Sequence, residues 1–452
     1  MLPLDLGGAG TPAGGRPACA AVWCEAPVPI MAAPPNPPPL HVPEPPLGPS
    51  GPVSPGPGKI VVAVQGLAAP AQMLALAERL RTRFAPFESV VLVSSHPGGV
   101  VTLSPLGPAG TTVVPGGPPG LSPAASQGAI PGYASPLGPL LREGVARGAV
   151  AMAIVAAEAH DESIDWLERL LSPVVEGSFD YVSPAYLRHR TDGAINTGIV
   201  APLIRTLYGQ QLRQPLGTEA AISPALARRL LADDDWRRRP AEAGSDAWLV
   251  AKVLGGDARV AQAWLGAWPR PSAGPENLSE TLIRALGLVF GEMERSADKW
   301  QRNGPSRPVP TFGTGGFEPG GERPDPARLF EAFARGLRDL LPVWSLVLPP
   351  ATLLELQRHA ARPIEAGGLP DEIWARAIFD FSVAHLTRRV ERRQLLRSLA
   401  PLYLGWLAGL ARAATTLDEA GFEARTEAMA SAFEREKRYL IARWRWPDEF
   451  NP

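Results

Sequence analysis

The stretch from Ser178 to Ser223 holds the residues of this chain whose types are best suited to chemistry. Cations, a carboxylate, an amide and hydroxyls follow one another closely, and a second carboxylate, Glu219, comes after a Pro/Gly turn. Polar groups of both signs on loops between regular elements are what a site for a polar ligand needs. A solvated linker between two helices would have a similar composition, and periodicity does not separate the two interpretations. The residues concerned are Arg188, His189, Arg190, Asp192, Asn196 and Thr197.

Regular elements must position these side chains. Residues 179–186 have the aromatic and β-branched content of a short strand, and residues 199–208 are apolar at helical spacing, with Gly209 as a stop. Earlier in the chain, residues 59–64 and 89–94 are continuous β-branched runs, typical of strands buried on both faces. A helical pattern at 69–84 lies between them, so we expect a βαβ unit and a parallel sheet.

The rest of the chain changes character near residue 278. Before it, residues 150–155 and 260–265 predict further strands, and the Pro/Gly-rich segment 96–139 predicts one long loop. After it, nearly every segment has helical periodicity. The predicted helices there are 278–295, 326–341, 352–362, 372–384, 388–412 and about 420–444.

The length and amino-acid composition limit the classes to which the protein can belong. With 452 residues, 45% hydrophobic and 20% charged, the chain can bury a sizeable core and is long enough for two or three domains. A net charge of -1 argues against a nucleic-acid-binding surface. The longest apolar run is too short to span a bilayer. Both cysteines, Cys19 and Cys24, lie near the start, so no disulfide framework is expected in the body, which suits a reducing cytoplasm.

Residues 1–58 are dominated by Pro, Gly and Ala. Such a segment buries too little apolar surface to offset its ordering entropy, so we expect a disordered tail. The alternative is a start codon assigned too far upstream, with Met31 as one candidate for the true start.

Three motifs in the central stretch resemble family 2-like glycosyltransferases, the group around mannosylglycerate synthase and glucosyl-3-phosphoglycerate synthase. They are Tyr-Val-x-Pro-x-Tyr-Leu-Arg-His at 181–189, Asn-x-x-Ile-Val-x-Pro-Leu at 196–203 and Gln-Pro-x-Gly-x-Glu at 214–219. The resemblance extends over roughly residues 59–444. It implies an α/β GT-A nucleotide-diphospho-sugar transferase domain at 59–274 and an all-helical domain at 275–452.

The same resemblance assigns roles to individual residues. Arg188, Asn196 and Thr197 would hold a small anionic acceptor such as a glycerate-type acid. Glu219 and Asp246, the latter in a Gly-x-Asp-x-Trp context, would be catalytic carboxylates that face the sugar and the acceptor. The second substrate would be a nucleotide-diphospho-sugar.

The donor side departs from the family pattern. Such enzymes hold Mg or Mn on an Asp-x-Asp motif to stabilise the leaving diphosphate. Here that position reads Ala156-Ala157-Glu158, so Glu158 is the one carboxylate left for a metal and for the donor. Gln65 begins the turn that would contact the nucleobase, and Arg270 replaces a histidine that relatives place after a later strand.

Two interpretations follow from these departures. In the first, the chain is a hexosyltransferase with a rearranged donor site, which uses a divalent cation weakly or replaces it with cationic side chains. In the second, it is a catalytically degenerate scaffold that acts as a binding or assembly module and self-associates through its helical domain. Both imply a cytoplasmic protein with no nucleic-acid partner and no membrane span.

Overall fold

The computed structural model describes most of the chain from residue 59 onward. The residues described are 59–65, 79–80, 82–84, 89–96, 99–103, 111–114, 137–156, 165–217, 219–233, 245–267, 278–318, 324–363 and 368–447. The expected N-terminal tail, most of the predicted helix 69–84, and the residues Ala157, Glu158 and Arg270 lie outside them.

A mixed β-sheet is the centre of this part of the chain. The strands are β1 Lys59–Gln65, β2 Ser89–His96, β3 Gly99–Leu103, β4 Thr111–Val114, β5 Ala149–Ala156, β6 Tyr181–Leu187, β7 Gln210–Gln211, β8 Ala220–Ile222, β9 Val260–Ala267, β10 Arg307–Pro308 and β11 Thr311–Phe312. Nine of them form one sheet in the order β11-β9-β6-β8-β5-β1-β2-β3-β4, and β7 pairs with β10 separately. Strands β2, β1 and β5 are mutually parallel, as are β6, β9 and β11, while β8 runs antiparallel between the two groups.

Helices follow and flank the sheet. They are α1 Leu137–Ala146, α2 Asp165–Val175, α3 Ala201–Tyr208, α4 Pro224–Ala232, α5 Ser245–Leu254, α6 Leu278–Arg295, α7 Ala297–Trp300, α8 Pro326–Trp344, α9 Pro350–Ala360, α10 Asp371–Thr387, α11 Arg392–Ser398, α12 Ala400–Thr416, α13 Glu419–Arg435 and α14 Lys437–Arg445. The predicted fold class, an α/β sheet followed by an all-α region, is confirmed.

Two predictions of local structure were wrong. The segment 96–139 is not one long loop, because β3 pairs with β2 and β4 with β3 as an antiparallel meander. Its β-branched runs outweigh the Pro/Gly content that predicted a loop. The predicted helix 388–412 begins later than expected, because Arg388 adopts a left-handed conformation (φ 55°) that ends α10 and Glu391 then caps α11. It is also divided in two at Leu399, between α11 and α12, where Pro401 has no backbone N–H to continue the first helix.

The segment between β6 and α3 carries most of the predicted polar residues. A π-helical turn, Asn196–Val200, runs directly into α3, and the helix ends at Gly209 in the left-handed conformation (φ 69°) that glycine adopts at low cost. Apolar side chains of this helix, Ile199, Leu203 and Leu207, are fully buried as their spacing predicts. The opposite face is left to present polar groups.

The largest apolar core is continuous from the sheet into the C-terminal helices. It includes Ile154 of β5, Leu203 of α3, Phe290 of α6 and Trp374 of α10. A second core lies on the other face of the sheet under α2. The domain boundary between residues 274 and 275 therefore remains a prediction from sequence, because these core residues pack together across it. No helix in the described ranges combines the length and apolarity that crossing a bilayer demands.

Candidate functional site

The candidate site begins at the residue that follows β6. Arg188 follows β6 directly, pairs with Phe317 in an isolated bridge, and accepts a 2.9 Å hydrogen bond from the Glu318 amide at its carbonyl. Its guanidinium lies 5.0 Å from the centre of the Tyr186 ring. The turn at Gly193 (φ 65°) closes over the same guanidinium, so closely that a Cβ at this position would collide with it. Backbone, ring and turn together fix this cation in place.

Two buried amides hold the loops around Arg188. The Asn196 side chain donates to the Leu216 carbonyl (2.9 Å) and accepts from the Leu216 amide (2.8 Å). The Gln214 side chain does the same with Tyr186, donating to its carbonyl (2.8 Å) and accepting from its amide (3.2 Å). Each amide replaces a backbone partner for an irregular segment. These contacts make Asn196 and Gln214 positioning residues for the loop 212–217.

A cavity of about 370 Å³ opens beside Arg188. That volume lies within the range of small-molecule sites. One wall comes from the sheet and α3, including Arg188, Thr197 and Gln262, and the other comes from α13 in the C-terminal region. The α13 residues are Phe422, Glu423, Thr426, Glu427 and Ala430.

Three of the arginines that line the cavity have structural partners. Arg190 donates to the carbonyls of Ala414 (3.1 Å) and Leu417 (2.6 Å) at the end of α12. Arg213 makes a bidentate ion pair with Glu423, and its guanidinium lies between the rings of Trp264 (5.3 Å) and Phe317 (5.2 Å). These contacts attach the sheet region to the helical region.

The third, Arg205, is shared between two carboxylates of α13. It contacts Glu427 and Glu434 at 2.7 Å each, and both carboxylates help to raise its pKa against the effect of its burial. Its Nε also donates to the Ser306 hydroxyl at 3.1 Å.

Arg188 is more deeply buried than these three arginines. It is 7% exposed, and burial lowers the pKa of its guanidinium to about 10, with the Asp192 carboxylate opposing the shift. The group therefore keeps its charge at neutral pH. Tyr186 also lines the cavity, and its buried hydroxyl has no hydrogen-bond partner among the described residues. A buried cation and an unsatisfied hydroxyl at one end of a cavity favour an anionic ligand with hydrogen-bonding oxygens.

The structure brings together only part of the predicted acceptor set. Arg188 and Thr197 line the cavity, whereas Asn196 is 6% exposed, bonded to Leu216, and not among the lining residues. Glu219 is 1% exposed immediately before β8 and does not line the cavity either. Asp246 lies in α5, and its side chain is outside the described part of the structure. The catalytic roles of these two carboxylates remain predictions.

Two of the four predicted donor positions, Gln65 and Ala156, meet at one edge of the sheet. Gln65 and Ala156 are register partners where the parallel strands β1 and β5 end, the edge at which α/β sheets bind ligands. Among the described residues no three His, Cys, Asp or Glu side chains are grouped to hold a metal ion, and the predicted ligand Glu158 lies outside those residues.

Sequence reasoning missed the residues that complete the cavity. Arg205, Arg213, Trp264 and Glu423 come from three separate regions of the chain, and nothing in their local sequence marks them as neighbours. The pair Arg213–Glu423 is separated by 210 residues. Covariation between aligned sequences is the kind of signal that identifies such pairs.

Gly193 provides a test of the turn that closes over Arg188. We expect Gly193→Ala to lower the free energy of unfolding by about 1–2 kcal/mol through its positive φ and to weaken anion binding by displacing the guanidinium. Gly177→Ala is the matched control, because Gly177 has a similar φ (73°) and nothing within 4 Å of the added Cβ. Equilibrium chemical unfolding and glycerate titration would compare them, and equal glycerate affinities in both variants would contradict the assigned contact.

No protein-family model and no curated protein matches this chain. Solved structures that it resembles include glucosyl-3-phosphoglycerate synthase from Mycobacterium tuberculosis in complex with phosphoglyceric acid, at 18% identity and a TM-score of 0.33, covering 54% of this chain and 81% of that one. The same enzyme with Mn2+, uridine-diphosphate-glucose and phosphoglyceric acid matches at 17% identity and a TM-score of 0.31, covering 54% and 80%. Its complex with Mn2+, uridine-diphosphate and phosphoglyceric acid matches at 16% identity and a TM-score of 0.30, covering 53% of this chain and 79% of that one.

Proposed function

We propose that the chain is a glycosyltransferase that moves a sugar from a nucleotide-diphospho-sugar to a small anionic acceptor bound at Arg188. The observation that carries the acceptor half of the proposal is the cavity with a buried, charged Arg188 at one end, beside Thr197 and the unpartnered Tyr186 hydroxyl. The donor half rests on the motif resemblance and on the strand ends at Gln65 and Ala156. The acceptor would be a glycerate-type acid.

The residues at the cavity and in the loop beside it have separate roles in this proposal. Arg188 binds the anionic group, and the hydroxyls of Thr197 and Tyr186 orient it. The hydrogen bonds made by the Asn196 and Gln214 side chains keep the loop 212–217 in one conformation. A bound divalent cation would stabilise the leaving diphosphate, and no group of ligands for it is found among the described residues.

The second candidate is a degenerate scaffold that binds an anionic ligand without transferring sugar. The methyl group of Ala156, at the strand edge beside Gln65, favours it, because a side chain without polar atoms can neither bind a metal nor contact a diphosphate. Both candidates share the Arg188 site and differ in the donor site.

Replacing Arg188 tests the shared site. We expect Arg188→Gln to weaken glycerate binding by roughly 10- to 100-fold, the effect of one hydrogen bond to a charged group. Calorimetric titration of the full chain measures it, with Thr197→Val as a second, isosteric variant expected to lose about 3- to 10-fold. Glycerate binding that both variants leave intact would contradict the site.

A panel of nucleotide sugars separates the two candidates. A ligand that binds the native state raises its melting temperature by mass action. A shift with one nucleotide sugar, followed by transfer of that sugar to glycerate, would support the transferase. Glycerate binding without any nucleotide-sugar shift would support the scaffold.

A further inference from the structure

His189 contributes an imidazole to the wall of the cavity, directly after Arg188 in the chain. The residue is 7% exposed, so it is as deeply buried as Arg188. Buried polar atoms are normally hydrogen-bonded, and each of the two ring nitrogens therefore needs a partner. The two nitrogens differ in this respect.

The Nδ1 atom has its partners within its own turn. The His189 carbonyl accepts a 2.9 Å hydrogen bond from the Asp192 amide, which closes a tight turn. Inside that turn Nδ1 lies 2.9 Å from the Thr191 hydroxyl oxygen and accepts a longer bond, 3.4 Å, from the Thr191 amide. A backbone N–H can only donate, so Nδ1 is the acceptor nitrogen of the ring.

The turn thereby determines the tautomer of the neutral imidazole. One nitrogen of a neutral imidazole accepts and the other carries the proton. Because Nδ1 accepts, the proton is on Nε2, and Nε2 is a hydrogen-bond donor. No acceptor for it is found among the residues that the structure describes. Unlike the unpartnered Tyr186 hydroxyl, Nε2 is not enclosed by protein atoms, so a ligand in the cavity that His189 lines can reach it.

We propose that His189 is a binding residue of this cavity and donates its Nε2–H to an oxygen of the anionic ligand. The inference rests on the proposed anion site at Arg188 and adds a second donor to it. Arg188 supplies the charge, whereas His189 supplies a neutral and directional donor. This combination suits a small acid that carries several oxygens. The competing explanation is that His189 only holds its own turn through Nδ1.

Two amide variants separate these roles, because each keeps the function of one ring nitrogen. Asparagine accepts from the amide two residues further on, so His189→Asn keeps the contact with Thr191 and removes the Nε2 donor. Glutamine is one carbon longer, so His189→Gln places an amide N–H near the position of Nε2. We expect His189→Asn to weaken glycerate binding by about 10-fold and His189→Gln by no more than about 3-fold. A role limited to the turn predicts the opposite order.

Calorimetric titration of the full chain with glycerate measures these affinities. His359→Asn is the matched control, because His359 is a partly exposed residue of α9 that does not line the cavity. This variant should leave glycerate binding unchanged. An unaltered melting temperature without ligand would show that each variant is folded.

Nitrogen NMR of the imidazole gives a readout on the unmodified protein that a purely structural role would not move. The chain has six histidines, and the signals of isotope-labelled histidine that vanish in His189→Asn belong to His189. We expect the proton on Nε2 before ligand is added. Glycerate should then shift the Nε2 signal and leave the Nδ1 signal nearly unchanged. A proton on Nδ1, or an Nε2 signal that glycerate does not move, would overturn the proposal.

The possible failures differ. Glycerate binding that Arg188→Gln weakens and His189→Asn leaves intact overturns the role of His189 and keeps the anion site. A loss in His189→Gln with full binding in His189→Asn also overturns it, in favour of the turn. A wild-type protein that binds no glycerate overturns the anion site and the role of His189 together.

Discussion

Replacing Asp380 with alanine is expected to lower the free energy of unfolding by about 3–5 kcal/mol, because it removes one partner of a buried ion pair with Arg443. Asp380 in α10 is 0% exposed and Arg443 in α14 is 1% exposed. Arg443 donates to one oxygen of Asp380 at 2.8 Å, and the Tyr439 hydroxyl donates to the other at 2.7 Å. The carboxylate thus has a specific partner on each oxygen.

Equilibrium unfolding in urea measures this loss, and two further variants define its cause. Asp298→Ala removes a carboxylate from an exposed pair with Arg302, whose side chains are 70% and 76% exposed, and should cost about 0–1 kcal/mol. Replacing Asp380 and Arg443 together by leucine and methionine should recover most of the stability, since no buried charge is left. A double variant as unstable as Asp380→Ala would contradict the electrostatic explanation.

The predicted helices and strands are confirmed where the local sequence signals agree. The helix predicted at 278–295 begins and ends where α6 does, because its apolar residues recur with one period and no proline or glycine pair interrupts them. The strand before Arg188 and the helix up to Gly209 were found for the same reason. The π-helical turn at Asn196–Val200 was not, since no simple residue pattern distinguishes it from an ordinary first turn.

The sequence-based predictions are wrong or incomplete where tertiary contacts determine the local structure. The helix predicted to start at residue 388 starts only at Arg392, because Arg388 takes a conformation usually left to glycine, which no propensity scale indicates for arginine. Half of the cavity was predictable because Arg188 and Thr197 lie in one contiguous polar stretch. The other half was not, because α13 reaches the site through ion pairs such as Arg205–Glu427 that span more than two hundred residues.

Asn196 has an observed contact that differs from the one its motif predicted. Its position in the motif predicted contact with an acceptor, but its amide bonds both to the carbonyl and to the amide of Leu216. That exchange uses one of its two N–H donors and one of its two acceptor lone pairs. The observed contact shapes the loop that borders the cavity, and the acceptor role of Asn196 stays a prediction.

Trp374→Ala is the second variant with a large expected effect, a loss of about 3–5 kcal/mol in the free energy of unfolding. Trp374 is fully buried in α10, stacks on Trp406 with ring centres 5.6 Å apart, and donates its indole N–H to the Gly198 carbonyl at 2.8 Å. Gly198 in turn packs so closely on Trp406 that a Cβ there would collide with the ring. The two tryptophans thus hold the π-helical turn against the helical region.

The matched control is Trp344→Ala, because Trp344 is equally buried and donates its indole N–H to the Ser398 carbonyl at 3.1 Å, within the helical region. Both variants should lose similar stability, since each leaves a cavity of the same size and an unpaired carbonyl. Only Trp374→Ala should also weaken glycerate binding, because Gly198 is the neighbour of Thr197. Measured under conditions where both variants stay folded, equal glycerate affinities would mean that the π-helical turn keeps its geometry without this anchor. A selective loss would mean that the helical region, through Trp374, determines the position of a ligand-binding residue on the sheet side.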